Sequence, residues 1–189
     1  MDGVKQGIIT TGLNHLVHDV FRDISEKKTF RQRFHKIDPR AKPEASLKHI
    51  LALHDDVDGL GHSYSKSNSP RLIIKDEVKA GVMAEYDPNK HEVNIYKSSF
   101  TSNYRLASTL FHEYFHSYQY TFNGGAIVKF FQDKYNIAAY KDMYGIETKS
   151  QMALEAQAYS RQIWLGDTDT YIISEYNDRA RKLNWPIYK

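Results

Sequence analysis

The chain has no cysteine among its 189 residues. That excludes a disulfide framework and any thiolate metal site, so a metal here must be held by histidine and carboxylate. Long apolar runs are also missing. No stretch approaches the ~18 residues that span a bilayer. Met1 to Phe21 carries no signal-peptide hydrophobic region, so the expectation is that any export depends on another carrier. Charge of one sign is not in excess either. Lys and Arg number 26 against 23 Asp and Glu, for a net charge of +3. This is too even to suggest a nucleic-acid surface. What is abundant is tyrosine, with 14 copies, which suits a domain with wet, hydrogen-bonding pockets.

One stretch organises the rest. Leu110 to Tyr120 reads LFHEYFHSYQY and contains His112-Glu113-Tyr114-Phe115-His116, the HExxH pattern. At the helix period His112 and His116 share one face, where two imidazoles can hold a zinc ion at about 2.0–2.1 Å each. Glu113 lies about 100° around the helix, placed to take a proton from a water on the same metal. The spacing predicts a helix from Tyr104 to Thr121, capped by Thr101 or Ser102 and stopped by Asn123-Gly124-Gly125. Leu106, Ala107, Leu110, Phe111, Tyr114, Phe115 and Tyr118 cover most of its circumference, which makes it a buried helix. Ser108, Thr109 and Gln119 lie near the histidines. The plain alternative is a packed structural helix whose two histidines hold nothing.

Catalytic zinc takes three protein ligands and leaves one position open. The extended pattern HExxHxxGxxH is absent, because Gln119 stands at its glycine and Phe122 at its third histidine. A carboxylate from a later helix is the other layout. Glu155 is the leading candidate, set among alanines in SQMALEAQAYSRQIW, with Tyr159 and Gln162 following on its face. Glu147, Asp142, Asp133 and His91 are rivals, and an ordinary exposed glutamate is the bland reading of Glu155. Tyr159 is a candidate hydrogen-bond donor to an oxyanion, with simple packing as the alternative.

The rest of the chain frames this centre. A helix is expected from about Thr11 to Ser25, carrying His15 and His18 as structural histidines. Lys27 to Lys42 is basic and reads as a solvated connector. Glu44 to Asp55 reads as a helix, His54 to Gly59 as its acidic end and turn, and Gly61 to Pro70 as a Ser-rich loop. Arg71 to Lys75 is a strand. Gly81 to Tyr86 and Glu92 to Tyr96 form a hairpin around Asp87-Pro88-Asn89-Lys90, whose free edge could align an extended peptide. Helices are expected over Ala126 to Tyr135, Ser150 to Trp164 and about Thr168 to Leu183, whereas Ile137 to Tyr144 is ambiguous.

Two resemblances add to this. Leu110 to Tyr120 together with Leu154 to Tyr159 resembles the gluzincin-type zincin metallopeptidases, and more closely small bacterial metallopeptidase domains with an HExxHxxQ helix and a later E-A-x-A-Y helix. Gly3 to Phe21 is similar to the linker that precedes the C-terminal toxin domain in RHS-repeat polymorphic toxins. The first likeness implies His112, His116 and Glu155 as metal ligands and Glu113 as general base. The second implies delivery by a secretion system, as part of a larger protein, and a neutralising immunity protein. It also implies a division into a linker over residues 1–30 and a metallopeptidase domain over 31–189.

The expected fold is α+β, mainly helical, with a small antiparallel sheet or hairpin before the HExxH helix and a cleft between that sheet and the Glu155 helix. The expected function is a zinc endopeptidase with one Zn²⁺ per chain, acting on a protein or peptide. No nucleic-acid partner and no membrane span are expected, and without delivery it would be cytoplasmic. The alternatives are a metal-stabilised binding module and a metal-dependent nuclease toxin prompted by the Lys27 to Lys42 segment.

Overall fold

The computed structural model describes residues 38–48, 69–135, 139–142, 145–164, 167 and 169–189. The expected Thr11–Ser25 helix, the residue-30 boundary, the His54–Gly59 turn and most of the basic and Ser-rich segments lie outside the described residues. Of the expected Glu44–Asp55 helix, residues 44–48 are described and helical, and the helix begins one residue earlier, at Pro43.

The described residues form an α+β fold in which helices dominate and a three-stranded sheet precedes the HExxH helix. The strands are β1 (Arg71–Lys75), β2 (Ala84–Asp87) and β3 (Glu92–Tyr96), in the order β1-β3-β2. The expected hairpin is present, with β2 antiparallel to β3. The sheet as a whole is mixed rather than antiparallel, because β1 joins the other side of β3 in parallel. β3 is central for a physical reason: Val93 and Ile95 are fully buried on the face that meets the helices. The turn into β3 is closed by Asp87, whose carboxylate accepts from the Asn89 backbone N–H, and by His91 in the left-handed region.

Helix α1 (Asn103–Thr121) carries the HExxH residues and is about 28 Å long at 1.5 Å per residue. Ser102 is its N-cap, and its hydroxyl accepts from the Arg105 N–H at 3.0 Å. The helix ends where Asn123, Gly124 and Gly125 all take positive φ. At Gly125 a Cβ would also sit 3.3 Å from the Tyr120 carbonyl, so glycine fits this stop on two counts.

After α1 come α2 (Ala126–Tyr135), a second hairpin of β4 (Ala139–Asp142) and β5 (Gly145–Thr148), α3 (Lys149–Trp164) and α4 (Thr170–Leu183). The ambiguous stretch at Ile137 to Tyr144 therefore holds the first of two short paired strands. A capping box starts α3: the Gln151 N–H bonds the Thr148 hydroxyl, and the Gln151 amide oxygen accepts from the Thr148 N–H. This fixes the helix start two turns before Glu155. α4 begins two residues later than the Thr168 start expected, because Asp169 serves as its cap.

Two apolar clusters result. One joins the sheet to Leu106, Leu110, Phe111 and Tyr114 of α1. The other joins α2, α3 and α4 through Phe131, Met152, Ala153, Leu154 and Leu183. Ala153, Ala156 and Ala158 are completely buried, so α3 can approach its neighbours closely. α1 lies between the clusters, with its polar stripe against α3. Among the described residues no helix is long and apolar enough to cross a membrane.

Candidate metal centre

The stripe of α1 that meets α3 carries His112 and His116, both buried. Glu155 reaches them from mid-α3. Its Oε2 lies 3.2 Å from His112 Nε2, its Oε1 lies 3.2 Å from His116 Nε2, and the two Nε2 atoms are 3.1 Å apart. The three donor atoms lie within 4.8 Å of one another, and no other group of three metal-ligating side chains does so among the described residues. The donor set of two imidazoles and one carboxylate fits a divalent transition metal.

The far nitrogens of both rings are accounted for. His112 Nδ1 lies 2.8 Å from Gln162 Oε1, and His116 Nδ1 lies 2.8 Å from Gln119 Oε1. Each amide has its nitrogen committed elsewhere. Gln162 Nε2 donates to the Ser108 carbonyl at 3.0 Å, and Gln119 Nε2 donates to the Leu154 carbonyl at 3.0 Å. Carbonyl oxygens therefore face both Nδ1 atoms, so these carry the protons and the Nε2 lone pairs converge on one point. That is the tautomer a metal requires.

The charges agree. Burial works against an ionised Glu155, but the facing His116 and His112 outweigh it and hold Glu155 well below the usual carboxylate range. Burial likewise lowers His116, yet the charge and hydrogen bond of Glu155 raise it to about 9. Without a metal, a proton on His116 Nε2 occupies the meeting point of the three side chains at neutral pH, and a metal ion binding there would displace it. Glu113 differs. It is buried, and burial is the main cause that raises its pKa, against His112, His116 and the Tyr86 backbone N–H. A carboxylate with raised basicity next to a cation site is suited to proton transfer.

These groups floor a cleft of about 430 Å³. β2 and the segment before it form one wall, from Gly81 to Tyr86. Leu154, Glu155, Tyr159 and Gln162 of α3 form the other, and Tyr171 and Ile172 of α4 close one end. Met83 accepts from the Tyr96 N–H, so by antiparallel alternation the backbone groups of Ala84 and Tyr86 point away from β3, toward the open edge.

Tyr159 packs its ring 4.5 Å from the His112 ring and lines the cleft. Burial and the charge of Glu155 push its hydroxyl well above the usual tyrosine value, so it remains a donor. The Arg179 guanidinium lies over the Tyr159 ring, 5.3 Å from its centroid, and is held by Glu175 and Glu147. The rival ligands go elsewhere. Glu147 faces Arg179, Asp133 is exposed on α2, and His91 bonds the Tyr86 hydroxyl at 2.8 Å. The side chain of Asp142 lies outside the description. No family, curated relative or solved structure matches the chain. Function is therefore argued from the site alone.

Sequence reasoning put Gln119 and Gln162 near the histidine and glutamate faces but assigned them no task. Their spacing was the available signal: Gln119 is three residues past His116, and Gln162 is two helical turns past Glu155. Ser108 was placed near the histidines but likewise given no task, and Asp167 and Arg179 carried no comparable sign, since Tyr104 and Ser108 on the one hand and Tyr159 and Glu147 on the other are remote from them in the chain. Tyr120 was likewise not foreseen as a cleft residue, although it lines the wall near Glu155.

Proposed function

We propose that this chain is a zinc-dependent endopeptidase of the gluzincin kind, with His112, His116 and Glu155 as ligands. The observation that carries the reading is the convergence of their three donor atoms within 4.8 Å on the floor of an open cleft. A purely structural metal would be better served by a closed site. A zinc ion held there would polarise a substrate carbonyl and bring the pKa of a water toward about 7.

The chain's own residues supply the remainder. Glu113, with its raised basicity, takes a proton from the attacking water and passes it to the leaving amine. The outward Ala84 backbone and the Tyr86 carbonyl of β2 offer main-chain partners to an extended peptide laid along the cleft, while the Tyr86 N–H holds Glu113. The protonated Tyr159 hydroxyl is the candidate donor to the oxyanion. A nuclease reading fits less well. The charged residues lining the cleft are Glu85, Glu113, Glu147 and Glu155 against Arg105, a poor surface for a polyanion. The likeness of Gly3 to Phe21 to RHS-toxin linkers supports an effector role, delivered by a secretion system as part of a larger protein and restrained by an immunity protein.

The test is Glu113→Gln, assayed for turnover on a mixed peptide library and for bound zinc. Zinc should stay at wild-type occupancy while turnover falls about 10²- to 10⁴-fold. Full turnover in the variant would refute the mechanism.

A further inference from the structure

Asp167 is completely buried, does not line the cleft, and has no part in the chemistry above. It lies between α3 and α4 in the chain and is tied back to α3, its N–H bonding the Gln162 carbonyl at 3.0 Å. Its carboxylate gathers three donors: the Tyr104 hydroxyl, the Ser108 hydroxyl at 2.5 Å, and the Asp169 N–H at 3.3 Å.

The direction of each bond matters. The single proton of the Ser108 hydroxyl goes to Asp167, so its oxygen is left to accept, and it accepts from Gln162 Nε2 at 2.9 Å. Gln162 Nε2 also donates to the Ser108 carbonyl. If the amide were turned over, its oxygen would face that carbonyl, acceptor against acceptor, and its N–H would face His112 Nδ1. The Nδ1 proton would then have nowhere to go, and the Nε2 lone pair would be lost to the cleft. A one-way chain therefore runs from His112 Nδ1–H to Gln162, from Gln162 to Ser108, and from Ser108 to Asp167.

We propose that Asp167 is a positioning residue for the metal centre: through Ser108 and Gln162 it fixes the orientation of the Gln162 amide and so keeps His112 in its metal-binding tautomer. The inference rests on reading His112, His116 and Glu155 as ligands. It goes beyond that reading by giving a residue outside the cleft control over one of them. Outer partners of metal-ligating histidines commonly contribute 10- to 100-fold in metal affinity, and a residue two bonds further out should contribute less.

The test exploits the direction of the chain. In Asp167→Asn alone, the Tyr104 hydroxyl and the Asp169 N–H hold the amide oxygen, so the amide NH₂ faces the Ser108 proton, and metal affinity should fall about three- to tenfold. In Gln162→Glu alone, one hydroxyl proton stands between two carboxylates. The pair Gln162→Glu with Asp167→Asn reverses the chain at the Ser108 hydroxyl; the glutamate oxygen that faces the Ser108 carbonyl is common to both Gln162→Glu backgrounds and cancels in the comparison. The introduced asparagine amide would donate to Ser108, and Ser108 would donate to the introduced glutamate carboxylate, which also accepts from His112. Asp167→Asn should therefore weaken metal binding in the wild-type background and strengthen it in the Gln162→Glu background.

Affinity is read by competition with a chromophoric chelator, and ligand geometry by the visible absorption of the cobalt(II)-loaded proteins. Reversal of sign between the backgrounds supports the proposal. Equal effects in both overturn it while leaving the metal reading intact, whereas a wild type that binds no metal overturns the metal reading first and this proposal with it. Should Gln162→Glu not fold, Ser108→Ala serves instead. With the hydroxyl gone, Asp167→Asn should change affinity by less than about twofold, and a persisting three- to tenfold loss would overturn the chain.

Discussion

The two buried faces of α1 are differently built. Toward the sheet, Leu106, Leu110 and Phe111 are held by apolar contact with Val93, Ile95 and their neighbours. Toward α3, Ser108, His112, His116 and Gln119 are also buried, although the histidines floor the open cleft, and each meets a polar partner. The first face tolerates any side chain of suitable size and pattern. The second works only if every donor finds an acceptor, because an unsatisfied buried polar group costs about 1–3 kcal/mol. One helix thus divides stability from chemistry by face, and substitutions on the two faces should fail in different ways.

The largest expected effect on folding lies on the apolar face. Leu110→Ala should cost about 2–5 kcal/mol of stability, measured by denaturant unfolding. Metal affinity of the fraction still folded should hold within about twofold, because Leu110 packs in the sheet-side apolar cluster. A large affinity loss would mean the faces are not separable.

The polar face should show the opposite pattern. Gln119→Leu keeps the volume but strands the His116 Nδ1 proton and removes the tie to Leu154. It should cost about 1–3 kcal/mol and lower metal affinity about 10- to 100-fold. Calorimetry and chelator competition on the same sample would separate the two. Unchanged affinity would undo the contrast between the faces.

A smaller and more gradual effect is expected with pH in the chelated protein. Glu155 is held down, so its contribution is present above its unfolded value near 4.5 and fades as pH falls below it. His116 is raised to about 9, so its contribution is complete below its unfolded value near 6.5 and is lost as pH rises through about 9. The pair should therefore support the fold best between about pH 4.5 and 6.5, and the melting midpoint of chelated protein should decline toward pH 10. A His116→Ala variant that declines equally would assign the slope to other groups.

The same division explains what could be read from the chain itself. The apolar face announces itself by periodicity, and the HExxH spacing lies within five residues, so α1 with its Ser102 cap and glycine stop was legible. Glu155 was legible as a charge among alanines one turn before Tyr159. The β2–β3 hairpin was legible because its turn chemistry is local. The parallel pairing of β1 with β3 was not, since nothing near Arg71–Lys75 says which strand it will join. The four-residue strands β4 and β5 are too short for a period to show. The network behind the histidines was hidden for a further reason. Its bonds link Tyr104 to Asp167 and His112 to Gln162 across 63 and 50 residues, and serine, glutamine and aspartate carry no signature until the fold brings them together.

The central claim is that three side chains from two helices make one metal site. Metal content by mass spectrometry on wild type, His112→Ala and Glu155→Ala tests it most directly. About one zinc per chain is expected in the wild type, lost in His112→Ala and weakened in Glu155→Ala. Zinc unchanged in both variants, or none taken up by the wild type on addition, would contradict the account.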